Sequence, residues 1–214
     1  PTDRSRVRRH HDRQRSDRAE LHAVLDEALV AHLGRVVDGE PVVLPTLHAR
    51  VGETLYLHGA RKARVIRLLE KSGKACVNVT LLDGLVFARS TFNSSMNYRS
   101  VTVFGPARIV EDMDAKKKAL RTIVDSVMPG RREELRLSTE RELKMTGVIA
   151  VDIEAASAKI SDKMPDDDPA DLDTPVWAGI LPLEARFTTL RGDEHVAEGI
   201  EPSDAVRAME GKKL

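Results

Sequence analysis

From Asp17 the chain spaces Leu21, Val24, Leu25, Ala28 and Leu29 at helical intervals, and Asp17 with Glu20 has capping-box spacing. The pattern predicts an amphipathic helix that runs until Gly34 stops it. Beyond Gly34 the period becomes that of strands. "GRVVDGEPVVLPTLHARVGETLYLHG" holds three apolar runs broken at Asp38-Gly39 and Gly52-Glu53, which predicts an antiparallel meander. Pro41 and Pro45 cannot donate to a ladder, so their strand is expected at an edge or with a bulge. Helical spacing returns over 61–72, with Val65, Leu68 and Leu69 inward and Gly73 as the stop.

"KACVNVTLLDGLVFARS" gives the strongest local signal, two β-rich runs around Asp83-Gly84, read as a hairpin turn. The polar stretch "STFNSSMNYRS" then leads into the strand pattern "SVTVFGPARIVED". A helix is predicted from near Asp114 to Pro129-Gly130, and "GVIAVDIEAASAKI" supplies one or two more strands. Residues 165–175 are acidic and proline-broken, hence a loop; "VWAGILPL" is a short apolar return, and a short helix near 202–209 sits in a polar tail. Six or more antiparallel strands with helices inserted between them predict an α+β domain built on an antiparallel barrel. The organisation expected is a basic arm over 1–16, one domain over 17–183 and a polar tail over 184–214.

Length and charge narrow the class without naming an activity. The 214 residues suffice for one domain with a sizeable core, and Lys+Arg and Asp+Glu both count 34. No nucleic-acid partner is expected from that balance, because the basic opening "RVRRHHDRQR" is short and has no aromatic interleaving. Cys76 is the only cysteine, so an intrachain disulfide is excluded, and its alternating flanks suggest a buried, inert thiol. No apolar run is long enough to span a bilayer and no signal peptide precedes the basic start, so a cytoplasmic protein without a membrane partner is expected.

Two segments could carry chemistry. In "LYLHGARKARVIRLL" a strand ends at His58, Gly59 turns the backbone, and a helix opens with Arg61, Lys62 and Arg64. Three cations have the wrong sign for a helix start, unless a phosphate sits among them. A solvated charged face explains them equally well. In "SSMNYRSVTVFG", Arg99 and Ser100 could hold a phosphate or polar ring edges and Tyr98 could cover an apolar face; an Asn/Ser-rich turn with a surface arginine is the plainer reading. A lone His58 at a strand end is more often structural than catalytic, and no second histidine stands at metal-ligand spacing, His32 being read as helical. Trp177, the single tryptophan, could be core filler, an interface anchor or a lid over a flat ring.

The series "PVVLPTLHARVGETLYLHGARKARVIRLL", "ACVNVTLLDGLVFARS", "SSMNYRSVTVFGPARIV" and "PVWAGILPL", in that order over residues 8–183, resembles the pyridoxamine 5′-phosphate oxidase-related group, and within it the nitroimidazole-reductase-like branch. The resemblance implies a split β-barrel with peripheral helices that forms a homodimer and binds FMN in two clefts between subunits. Carried over, Pro45, Thr46 and Leu47 would run along the isoalloxazine, His58 and Gly59 would approach the ring and ribityl chain, and Arg64 would reach the phosphate. Asn97, Tyr98, Arg99, Ser100 and Val101 would complete the cleft, and Trp177 would close it. Relatives usually carry serine where Ala60 and Ala63 stand, so Arg61 and Lys62 are expected to compensate electrostatically. The function implied is an FMN oxidoreductase moving electrons between a reduced nicotinamide or deazaflavin and a small organic acceptor, with His58 as proton donor or ring-positioning group. A non-catalytic flavin or haem carrier on the same barrel is the alternative. A strict pyridoxamine phosphate oxidase is least supported, because no second phosphate-binding set of arginines is evident.

Overall fold

The computed structural model describes residues 14–15, 17–37, 39–63, 66 and 73–214. Most of the expected basic arm, Arg64, and most of the helix expected over 61–72 therefore lie outside the described residues. Strand β1 (Gln14–Arg15) precedes helix α1 (Arg18–Glu27) and strands β2 (Val30–Val37), β3 (Glu40–Val51), β4 (Thr54–Ala60), β5 (Lys74–Phe87) and β6 (Ser95–Ile109). Helices α2 (Met113–Val127) and α3 (Glu140–Met145) lead into β7 (Thr146–Asp152), β8 (Ala155–Ser161) and β9 (Gly179–Pro182), and the tail carries the short helix α4 (Asp204–Arg207).

Every pairing is antiparallel, and six strands close on themselves in the order β2, β3, β4, β7, β6, β5 and back to β2. Strand β8 adds to β6, β1 adds to β8, and β9 adds to β5. This is the split barrel. The split falls on β6, which pairs with β8 over Tyr98–Phe104 and with β7 over Ala107–Ile109. Gly105 marks the changeover, since a Cβ there would stand 1.7 Å from the Asp152 carbonyl oxygen. Only a residue without a side chain lets the β7–β8 link pass so close.

The core fills the ring. Leu55 and Leu57 of β4, Val77 and Val79 of β5, Val101 and Val103 of β6, and Ile149 and Val151 of β7 alternate inward and are buried. Helix α1, capped by Asp17 accepting from the Glu20 N–H, adds Leu21, Val24 and Leu25 to this core. Helix α2 lies outside, packed on β3, β4 and β7 through Ala119 and Ile123. Pro41 and Pro45 fall in the half of β3 that pairs only with β2, so one side of the strand there has no partner strand to ask for an N–H.

Two local expectations are corrected. Helix α1 ends at Glu27, and Gly34 lies inside β2. Ala31 and Leu33 are buried there while Val30, His32 and Val36 are exposed, a period of two that pairing with both β3 and β5 enforces. His32 is thus a strand residue. Asp83-Gly84 is not a hairpin turn: β5 runs through it with a bulge between Leu82 and Gly84. Strand β6 lies alongside on both sides of the bulge, and β9 approaches Gly84 so closely that a Cβ would stand 2.7 Å from the Leu181 carbonyl oxygen.

Candidate functional site

At the end of β4, His58 pairs with Val148 and Gly59 with Gly147. Because Leu55 and Leu57 point into the core, alternation turns the His58 side chain outward. The Thr46 hydroxyl lies 3.1 Å from the carbonyl oxygen of His58, which ties β3 to this corner. The His58 ring is half-buried and its Nδ1 has no hydrogen-bond partner among the described residues. Burial holds its pKa below the ordinary histidine value, so the imidazole is neutral near pH 7. Beside it, a Cβ added to Gly59 would meet nothing within 4 Å among the described residues, which leave the backbone there open to close approach by another group. The Arg61 N–H donates to the Met145 carbonyl at 2.8 Å, its guanidinium pairs with Glu111 at 3.1 Å, and Lys62 is exposed. Ala60 and Ala63 close the turn through the Ala63 N–H and the Ala60 carbonyl, so no hydroxyl is offered there.

The segment 97–101 does not line one cleft. A strand sends successive side chains to opposite faces. Asn97, Arg99 and Val101 face inward; Tyr98 and Ser100 face outward. Asn97 is buried, donating from its amide to the Lys163 carbonyl at 3.0 Å and accepting from the Lys163 N–H at 3.1 Å. Val101 is core. Arg99 is bidentate to Asp83 and to Glu27 at the end of α1, with Nη2 at 2.8 Å from each. Hydrogen bonds donated to Glu27 first and Asp83 second raise its pKa further, so it is charged at any working pH. Two carboxylates already use the donors that a phosphate would need, and the reading of Arg99 as an anion ligand is corrected to a clasp between α1 and the β5 bulge.

The outward face carries what remains of the sequence-derived site. Pro45, His32, Asn78, Thr102 and Ser157 are successive register partners across β3, β2, β5, β6 and β8. Around that row the Asn78 amide donates to Ser100 Oγ at 3.1 Å and Thr102 Oγ1 at 2.9 Å, and Thr80 lies 3.0 Å from Ser100. Lys159 places its ammonium 5.9 Å from the Tyr98 ring centre. The result is a pre-organised polar strip on a sheet whose neighbouring outward positions are apolar. Sequence reasoning missed His32, Asn78, Thr80 and Thr102, although the alternation in "CVNVT" and "SVTV" already set polar residues at every second position. Trp177 is 70% exposed, with its ring 5.9 Å from that of Phe87 and pressed on Gly179. Within one chain, then, Thr46, His58, Gly59, Arg61 and Lys62 share one corner. Pro45, Tyr98 and Ser100 share the outer strip, and half-buried Leu47 follows Thr46 on β3.

A family model described as pyridoxamine 5′-phosphate oxidase matches residues 17–160. Among solved structures the chain is similar to the flavocytochrome Anf3 from Azotobacter vinelandii, with 35% identity, a TM-score of 0.93 and 98% of each chain covered. It is likewise similar to the FAD and heme binding protein from Mycobacterium smegmatis, with 38% identity, a TM-score of 0.89, and 93% and 98% of the two chains covered. A candidate 5-nitroimidazole antibiotic resistance protein from Bacteroides thetaiotaomicron matches at 21% identity and a TM-score of 0.58 over 69% of this chain and 86% of that one, and shows the fold alone. No curated protein matches the chain.

Proposed function

This chain belongs to the pyridoxamine 5′-phosphate oxidase family, and from that premise we propose that it is a homodimeric flavin-binding redox protein. The observation that carries the reading is the full-length likeness to two proteins whose names include a flavin, tail and helices included. The flavin would supply hydride or electron-pair chemistry. The chain's own part is to bind and orient. Gly59, bare on its outer side, admits a ring or ribityl chain against the backbone, and Thr46 fixes that backbone. His58, neutral and with Nδ1 unpartnered among the described residues, is suited to accept a hydrogen bond or position a ring edge, and exposed Lys62 offers positive charge beside Ala60 and Ala63. The exposed apolar positions and Trp177 on the other outer face are suited to a second copy, which would bring the strip and the corner of different chains together.

A nicotinamide or deazaflavin donor and a small organic acceptor complete the oxidoreductase reading. The test is a visible spectrum of the purified protein, mass spectrometry of the extracted ligand, and anaerobic addition of NADPH. A yellow protein bleached by the donor is expected. A colourless chain that takes up neither FMN nor FAD would overturn the flavin, and a flavin that no donor reduces would overturn the enzyme. Light scattering should give twice the chain mass, and Leu85→Asp should yield a folded monomer with weakened flavin binding.

One observation favours a second reading, a flavin and haem carrier: both full-length matches are described as flavocytochrome or haem-binding. A neutral, half-buried His58 with a free Nδ1 has the donor chemistry of an axial ligand. Under that reading the protein binds added haem with a Soret band that His58→Ala abolishes and His195→Ala leaves unchanged.

A further inference from the structure

Helix α2 has two working faces. Lys116, Ala119 and Ile123 are buried, while Lys117, Leu120, Arg121 and Val124 repeat at i, i+3, i+4 and i+7 on another face. Opposite this second face the chain returns through residues 132–143 and leaves a groove of about 340 Å³, within the lower range of small-molecule sites. Its floor is apolar, formed by Leu120, Val124, Leu135 and Leu143. Leu137 at its edge is 74% exposed, and no described side chain covers it. Its rim is cationic, with Lys117, Arg121, Arg132 and Arg136 against the single acid Glu140.

The pairing of those charges decides what the groove can hold. Lys117 pairs with Asp114, Arg132 with Asp125, Arg136 with Glu142, and Glu140 with Lys144. Arg121 has no carboxylate partner among the described residues, so it is the one uncompensated charge that the rim presents. A ligand that fits must offer one anionic group and an apolar body. We propose that this groove binds an apolar-tailed monocarboxylate of the medium-chain fatty-acid class, with the carboxylate on Arg121 and the chain over the leucine floor. A guanidinium receives a carboxylate in two parallel hydrogen bonds, and the exposed leucines lose their contact with water when the chain lies down. The groove belongs to α2 and α3 and uses no residue of the flavin reading, so the two stand or fall separately.

The test is isothermal titration of the full chain with decanoate, 1-decanol and acetate below their aggregation concentrations. One saturable decanoate site per chain is expected, with decanol about tenfold weaker and acetate silent. Arg121→Gln should lower decanoate affinity to that of decanol and leave decanol binding unchanged, while Arg141→Gln, on the exposed side of α3, should leave both unchanged. Unsaturable uptake, equal affinity for decanoate and decanol, or equal losses in the two variants would overturn the proposal. So would a groove closed by a second copy, seen as no decanoate site together with an Arg121→Gln protein that dissociates in light scattering.

Discussion

Over β3, β4 and β7 the outside of the ring is roofed by α2, which leaves Ile123 only 2% exposed. Over β2, β5, β6 and β9 the outside stays open, and Val36, Leu85, Met96 and Leu181 are between 44% and 65% exposed. Both halves share the same inner core, so the contrast is not one of folding strength. A sheet that buries one face and leaves apolar residues on the other is a surface made to be covered by something else. The roofed half holds the His58 corner; the open half holds the polar strip and Trp177. A second molecule of the protein would complete one with the other, which is the basis of the dimer proposed above.

The seam between the halves should be the most sensitive point. Gly105→Ala forces a methyl onto the Asp152 carbonyl at the changeover of β6, and a loss of about 3 kcal/mol or more is expected in urea unfolding. A wild-type midpoint would show that the seam is slack. Next, Ile123→Ala under the roof should cost about 3 kcal/mol, because a buried side chain leaves a cavity. Val36→Ala on the open half should cost less than about 0.5 kcal/mol in the isolated chain. Equal losses would erase the contrast between the faces.

A smaller effect is expected at the clasp that joins α1 to the open half. Arg99→Ala leaves Glu27 and Asp83 facing each other, and since all three side chains are about one-third exposed the cost should be about 1–2 kcal/mol. Arg99→Lys should recover part of it, lacking the fork. A silent Arg99→Ala would mean that the clasp adds nothing. The smallest effect is in pH. His48, buried on β3 with Nε2 at 2.8 Å from the Leu25 carbonyl, and His58 both have pKa values lowered by desolvation. The unfolded chain therefore binds their protons first, so stability is full above the unfolded value of about 6.5 and falls as pH drops below it. A His48→Gln, His58→Gln double variant should flatten that slope; an unchanged slope would place its origin in other groups.

Much of this contrast was legible as alternation. The cap of α1, the helix that begins near Asp114, the meander of β2 to β4 and the inward valines of β5 and β6 follow from local period and local hydrogen bonding, which neighbouring residues carry themselves. Cys76 followed the same pattern, but it is half-buried rather than fully buried because its side of β5 is the open one. Where the reading failed, the missing information was a partner far along the chain. Asp83-Gly84 has the composition of a turn, and only the arrival of β9 makes it a bulge. Arg99 has the composition of an anion site, and only Glu27, 72 positions away, makes it a clasp.

The sequence by itself determined which residues alternate, where α1 and α2 start, and that an antiparallel barrel would result, because periodicity and capping act over a few residues. The tertiary structure alone decided which face of each strand is roofed, which charges are already paired, and that contiguous residues 97–101 serve opposite sides of a sheet. Those outcomes depend on contacts between segments that the chain brings together only on folding, at distances along the sequence where no local pattern reaches.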